Sequence, residues 1–522
     1  AVAHPAPAGG RRRLAVLVGA AAAVLIAVLG ARYVLDADTP TDKHAILPSS
    51  VAVLPFKNLS PSEDDAFFAA GMHEELLGEL ARIRGVNVIG STSVQRYAQN
   101  APPLPVIAAE LNVGTVLEGS VRYAADRVRI SVRLVDGKTG AELWADTYES
   151  GLDDAFRVQS EVAQRVSTAL EPALGGGTRA ASRPTTSAAA YALYLKTLSL
   201  YRTHGGIGVS MPVPIRATMK EYLDRALELD PEFAAALGWR AHVNLDALMF
   251  GAFDEDEWAV ANEAMTRAVE TDARRALELD PAQGAAHATL ARLDMYRWRL
   301  ADARATLDRA LDVTPNDPSV LHYSAMLDFL RGDPGQAIAA ARRALELDPK
   351  NPAPHAPLSM ALRASGDLRG AIAAYERMID AAPTAAIGYI GLARTQTATA
   401  DGALVMETLR FGEQFLEDLR SFRLDAALSY AHAGARADAE RLVAEFERRS
   451  AGQHVDSSLQ AMAALARGDH AAARAAVERA LTTRTVGADP LPLAQIRENT
   501  WSDPALELPE WRELRERLAY RR

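Results

Sequence analysis

Cysteine is absent from this 522-residue chain. That removes disulfides, thiolate nucleophiles and cysteine-ligated zinc or iron–sulfur centres together, and it suits either redox compartment. Aromatic residues are scarce at 6%, whereas alanine is abundant, which favours helices over strands. A cationic surplus is also missing: a net charge of −10 argues against a broad nucleic-acid footprint, which needs a basic face to neutralise phosphates. With 49% apolar and 24% charged residues the chain reads as globular, and it is too long for one core. Two or three domains are expected.

Charge is also lacking from Leu14 to Ala31, a run of 18 residues rich in Ala, Val and Leu, or about 22 if Arg32 snorkels and Tyr33 to Leu35 are included. Roughly 20 apolar residues cross a bilayer core as a helix. Arg11, Arg12 and Arg13 precede the run, and Asp36, Asp38 and Asp42 follow it. The positive-inside rule places residue 1 in the cytoplasm and the bulk outside, periplasmic in a bacterial inner membrane. A cleaved signal peptide is the competing reading, but Leu29 occupies the −3 position before Ala31, where a small residue is required.

Between about residues 50 and 173 the pattern is α/β. Val51 to Phe56 is a short apolar run before a turn, which suits a buried strand. Phe68, Met72, Leu76, Leu77, Leu80 and Ile83 follow at helical spacing, then a short strand at 86–90 and a helix over 104–111. Val128, Ile130, Val132 and Leu134 alternate with Arg129, Ser131 and Arg133, giving a strand with one buried and one wet face. Leu143 to Tyr148 reads as a further strand and Asp154 to Leu170 as a closing helix.

The strings from Ser50 to Gly90, Gly114 to Glu149 and Leu152 to Val166 resemble the TolB-N-terminal-like (FlgO-like) domain, a bacterial family found between a membrane helix and tetratricopeptide repeats. The resemblance implies architecture more than chemistry. Members sit beyond adenylate cyclase, winged-helix regulator or serine/threonine kinase modules, or stand alone. The chain therefore reads either as free-standing or as part of a longer signalling protein, and the missing initial Met leaves both open.

The strongest signal is a period of 34: prolines at 281, 315, 349 and 383; Ala303, Ala337, Ala371, Val405, Ala439 and Ala473; Gly332, Gly366, Gly434 and Gly468. Small residues let the two helices of a hairpin approach closely. Glycine supplies the left-handed turn between them, and proline ends one hairpin and opens the next. This resembles the tetratricopeptide repeat, with about eight hairpins, the first two irregular because Pro231 and Pro281 are 50 residues apart. The expected fold is an α+β multidomain chain: an N-terminal transmembrane helix, a small mixed-sheet α/β domain and an all-α solenoid coiled as a right-handed superhelix. Its boundaries are a tail 1–13, the membrane helix 14–35, a linker 36–49, the α/β domain 50–173, a Gly/Ser/Thr linker 174–187, the solenoid 188–498 and a cap 499–522.

No catalytic, metal or cofactor constellation emerges. His73-Glu74-Glu75 lacks a second histidine one turn on, Gly175-Gly-Gly177 lacks the Lys-Ser/Thr of a phosphate loop, and Ser91-Thr-Ser93 has no visible His–Asp partners. Arg331-Gly-Asp333 falls in a repeat's turn slot, Glu118 reads as a structural pair, and Arg127, Arg129 and Arg133 as a solvated face. Solenoids bind on the side lined by each hairpin's first helix. The proline register puts Arg292, Met295, His322, Met326, Phe329, Met360, Arg363 and Arg394 there, apolar anchors plus guanidinium groups suited to a protein or peptide ligand. The expected function is a non-enzymatic membrane scaffold with a protein partner, no nucleic acid and no cofactor. The alternative is the sensor half of a cyclase, winged-helix regulator or kinase. Oligomeric state is not legible.

Overall fold

In the computed structural model, the residues described are 47–60, 66–83, 85–99, 101–124, 127–151, 161–162, 165, 185, 187–204, 212–250, 258–399, 402–416, 420–483, 490–498 and 503–518. The expected membrane helix 14–35, the tail before it, most of both linkers and of the closing helix, and the Gly175–Gly177 run lie outside them. Among the described residues no helix is long and apolar enough to cross a membrane.

A mixed sheet comes first, in the order β3-β1-β4-β5-β6, built from β1 (Leu47–Val53), β3 (Asn87–Val88), β4 (Val113–Ala124), β5 (Arg127–Asp136) and β6 (Glu142–Gly151). The short β2 (Lys57–Asn58) also pairs with β4. β1 runs parallel to β3 and β4, whereas β4, β5 and β6 form an antiparallel meander. The alternation along β5 is obeyed: Val128, Ile130, Val132 and Leu134 are buried, and Arg129 and Arg133 are exposed. Helix α1 (Ala66–Ala81) packs Phe68, Met72, Leu76 and Leu80 onto that buried face. On the opposite face, α2 (Ser91–Gln95) and α3 (Leu104–Leu111) cover β1 and the start of β4 through Val94, Ile107 and Leu111.

Sixteen described helices then pair into eight hairpins. They are α4 (Ala188–His204) with α5 (Val213–Leu229), α6 (Ala234–Phe250) with α7 (Trp258–Leu279), α8 (Gly284–Tyr296) with α9 (Leu300–Val313) and α10 (Pro318–Leu330) with α11 (Pro334–Leu347). After these come α12 (His355–Ala364) with α13 (Leu368–Ala381), α14 (Ala386–Gln396) with α15 (Gly402–Gly412), α16 (Arg420–His432) with α17 (Arg436–Arg449) and α18 (Ser457–Arg467) with α19 (His470–Thr483). The insertion between the first two prolines lengthens α6 to 17 residues and α7 to 22, against 13 and 14 in the next hairpin. Two short helices, α20 (Pro490–Arg497) and α21 (Pro509–Leu518), end the chain, with Trp511 and Leu514 buried against the last hairpins.

The repeat columns act as their chemistry requires. Ala303, Ala337, Ala371, Ala439 and Ala473 are buried between paired helices. Gly332, Gly366, Gly434 and Gly468 have φ of +77°, +84°, +82° and +76°. Each allows the residue after it to bond back across the turn, as Asp367 N does to Leu362 O at 2.9 Å. One repeat up, that slot holds Trp298, which keeps a φ of +59° and the same closure, Arg299 N to Asp294 O at 2.8 Å. A tryptophan is disfavoured in that conformation by roughly 1–2 kcal/mol. The offset is packing: its indole lies against the apolar cluster of the C-terminal hairpins.

Sheet and solenoid are not separate cores. Residues 47–522 form one unit, and α1, the sheet and helices α4 to α8 share a single apolar cluster. α1 has two packed sides, one on the sheet and one on α4. Gly71 makes the second contact possible, since a Cβ there would stand 2.5 Å from Leu195 Cδ2 and 3.0 Å from its Cα. Gly78, on the same helix, has nothing within 4 Å of that position. Gly71→Ala is expected to cost about 1–3 kcal/mol by overpacking. Gly78→Ala should instead stabilise by roughly 0.5–1 kcal/mol through helix propensity. Urea melts of the two variants check this, and equal effects would show that α1 does not bear on α4.

Candidate functional site

The junction between the α/β domain and the solenoid is built on the repeat motif itself. In Ala-Leu-Glu-Leu-Asp-Pro the aspartate ends the second helix of a hairpin, with Asp280 N bonding Ala276 O and Asp348 N bonding Ala344 O, both at 2.8 Å. Its carboxylate is left to face outward along the edge where one hairpin passes to the next. There the α/β domain docks. Arg82 reaches Asp280 at 3.4 Å, and Ser93 gives its backbone N–H (2.9 Å) and its hydroxyl (2.5 Å) to Asp348 Oδ1. Between them Asn316 Nδ2 donates to Val86 O at 2.6 Å, and Gly90 N donates to Leu347 O at 2.8 Å. The same motif at Asp230 accepts from the Thr185 hydroxyl. Burial pushes the Asp348 carboxyl up to about 6 despite the Ser93 donors.

Above this edge lies a cavity of about 550 Å³, bounded by α1, the ends of α4, α6, α8 and α10, and the turns at 280–285 and 314–319. Glu74, Glu75 and Glu79 face it from α1, and Tyr201, Trp239, His242 and Tyr323 from the solenoid. Burial raises the Glu75 carboxyl to about 7, with the hydroxyl of Tyr194 hydrogen-bonded to it and working the other way. Burial also lowers His242 to about 4.

Most of the eight side chains assigned to the groove lie inside the packed solenoid. Seven of them are buried, and Met326 packs partly exposed at the edge of a cluster. Arg292 Nη2 donates to Asp246 Oδ1 at 2.8 Å, tying α8 to α6, and Arg394 Nη1 donates to Asp425 Oδ2 at 2.7 Å, tying α14 to α16. Arg363 Nη1 donates to the Arg394 carbonyl at 3.3 Å, and burial, with Arg394 beside it, lowers its pKa to about 10. His322 packs against the Tyr323 ring, and burial near Arg292 lowers it to about 3. Met295, Phe329 and Met360 share one apolar cluster with Leu491 and Ala494 of α20. That helix also seats Arg497, whose Nη1 and Nη2 donate to Leu330 O at 2.6 Å and Phe329 O at 2.8 Å.

The remaining candidates have structural partners. His73 Nε2 donates to Val53 O at 2.9 Å, tying α1 to β1. Ser93 is the docking contact, Glu118 pairs with Arg133 across the strands, and Gly332 forms its turn with Arg497 close by. Sequence reasoning missed the edge aspartates, Glu75 and α20. The available signal was Gly71 in α1, a residue without a side chain on a helix otherwise built of good helix formers.

A family model described as Tetratricopeptide repeat matches residues 329–388, and the chain carries such repeats. Over 256 residues it is 34% identical to "Putative adenylate cyclase 3" of Rhizobium meliloti (strain 1021), an alignment covering 49% of this chain and 41% of that protein. The chain thus spans about two fifths of the relative's length. Similar solved structures include the human IFIT1 dimer with m7Gppp-AAAA, at 15% identity over 63% of this chain and 80% of that one, with a TM-score of 0.38. Another is pilF of Pseudomonas aeruginosa, at 15% identity over 42% of this chain and 94% of that one, with a TM-score of 0.33.

Proposed function

We propose that this chain is a membrane-anchored, non-catalytic scaffold whose solenoid takes a helical segment of a partner protein, and that α20 holds that place at rest. The seat of α20 carries the reading. It touches α10 and α18, the first helices of hairpins four apart, so it lies on the side that solenoids use for binding. Leu491 and Ala494 enter the cluster of Met295, Phe329 and Met360, while Arg497 donates to the Phe329 and Leu330 carbonyls at the C-terminal end of α10. A guanidinium there also meets the negative end of the helix dipole. The partner segment should copy this chemistry: two apolar residues three apart, then an arginine one turn on.

A labelled peptide of residues 490–498 tests it by fluorescence anisotropy against the wild type and a Leu491→Glu, Arg497→Ala variant. Apparent affinity scales with the open fraction of the site, so the variant should bind at least ~10-fold more tightly. Equal affinity for both chains overturns the reading.

The anchor belongs to this reading on the strength of the uncharged run 14–31 and its flanking charges, and the TolB-N-terminal-like assignment on the resemblance over 50–173. A reporter joined after Arg522 reads the orientation. The second reading, a sensor half serving an output module upstream, is supported by the relative's name. A cyclase, winged helix or kinase continuous with Ala1 would decide for it.

A further inference from the structure

We infer that the cavity between α1 and the solenoid binds a small organic cation, an amine carried on an apolar body. At about 550 Å³ it falls within the ~300–1,000 Å³ of small-molecule sites, and it lies at a junction between structural units, where such sites concentrate. One wall is aromatic. Tyr201 and Trp239 meet edge to face with centroids 4.6 Å apart, and His242 packs on both at 5.7 and 5.3 Å. Held neutral by burial, His242 brings no positive charge. Tyr323 also lines the cavity, with the Arg292 guanidinium 5.3 Å from its ring.

The rest of the lining is acidic, with Glu74, Glu75 and Glu79 on α1 and Asp280, Asp317 and Asp348 at hairpin ends of the solenoid. Six carboxyl groups line the cavity against Arg82 alone among the described lining residues. Five of them are engaged: Glu79 and Asp280 with Arg82, Glu75 with Tyr194, Asp348 with Ser93, and Asp317 at the start of α10 through Ser319 N. Glu74 differs. Its Oε1 is buried without a hydrogen-bond partner, and His73 Nδ1 stands 3.7 Å away. A negative wall at low dielectric repels phosphates and carboxylates and attracts an ammonium group. The amine fits between Glu74 and the Tyr201–Trp239 pair, with its apolar body toward Leu77 and Leu198.

Isothermal titration of the whole chain with phenethylamine tests the assignment, with 2-phenylethanol and 3-phenylpropionate as neutral and anionic controls. The amine alone should bind, with Kd below ~1 mM. Glu74→Gln and Trp239→Leu should each weaken it at least 10-fold. Glu74→Gln keeps the side chain's shape, so the test does not depend on the tryptophan variant folding. Equal binding of amine and alcohol, or an amine affinity unmoved by Glu74→Gln, overturns the inference. Absence of heat from all three marks a water-filled crevice and overturns it equally.

Discussion

Asp246→Ala is expected to cost about 3–5 kcal/mol of stability, a large share of the roughly 5–15 kcal/mol a domain possesses. Asp246 and Arg292 are both buried, joined at 2.8 Å between α6 and α8. Burial disfavours the Asp246 charge, yet Arg292, with Arg216 further off, holds its carboxyl below the ordinary range. Removing the carboxylate leaves the Arg292 guanidinium desolvated under Tyr323 with its counter-charge gone. Distance alone does not set this cost. Arg225 and Glu228 stand at 2.5 Å with most of both side chains in solvent, and Glu228→Ala should cost about 0–1 kcal/mol. Replacing both members of the buried pair by leucine should recover most of the loss, because neither charge is then stranded. Urea melts of the two single variants and the double variant decide the matter. If Asp246→Ala costs no more than Glu228→Ala, the pair is not the clamp described here.

The same pair shows where the sequence was legible and where it was not. Arg292, Met326, Met360 and Arg394 follow one another at 34-residue steps, so their shared side of the solenoid could be read from proline register. Whether that side is open could not, because what covers it comes from far along the chain. Asp246 and Asp425 complete the two arginines, and α20, over 90 residues beyond Arg394, meets the central apolar positions. Glycine, alanine and proline columns answer to local backbone and packing needs, which is why the hairpins were readable. Trp298 breaks the glycine column because a distant cluster compensates it. The edge aspartates illustrate the same limit. Asp348 is an ordinary end-of-helix residue until Ser93, 255 positions earlier, is laid against it.

The solenoid should lose stability steeply on mild acidification while its junction with the α/β domain does not. Burial, mainly, depresses three histidines: His242 and His355 to about 4, and His322 to about 3. A depressed base contributes stability that is complete above its unfolded pKa near 6.5 and lost as pH falls toward the folded value. At 1.4 kcal/mol per pKa unit, the three together are on the order of 10 kcal/mol if the pH reaches 3–4. Two buried carboxyls act with opposite sign. Glu75, raised to about 7, and Asp348, raised to about 6, are protonated more readily in the fold than in the unfolded chain. Their contribution is complete below about 4 and is lost as pH rises through 6 to 7, on the order of 3 kcal/mol each. Burial also lowers His287 and raises Glu79, Asp294, Asp317 and Asp328; between pH 6.5 and 5 the histidines are expected to prevail, because the unfolded imidazoles take up most of their protons in that window. Urea midpoints should therefore fall between pH 7 and pH 5. His322→Phe should remove about a third of that fall. Glu75→Gln should steepen it, since the proton Glu75 takes up in the fold no longer offsets the histidines. Hydrogen exchange should locate the acid-induced opening in α6, α10 and α12, which carry the histidines, and leave β3 and α2 protected against Asp348. Equal midpoints at pH 5 and pH 7, or opening that begins at β3 and α2, would mean that these histidines do not govern the acid limb.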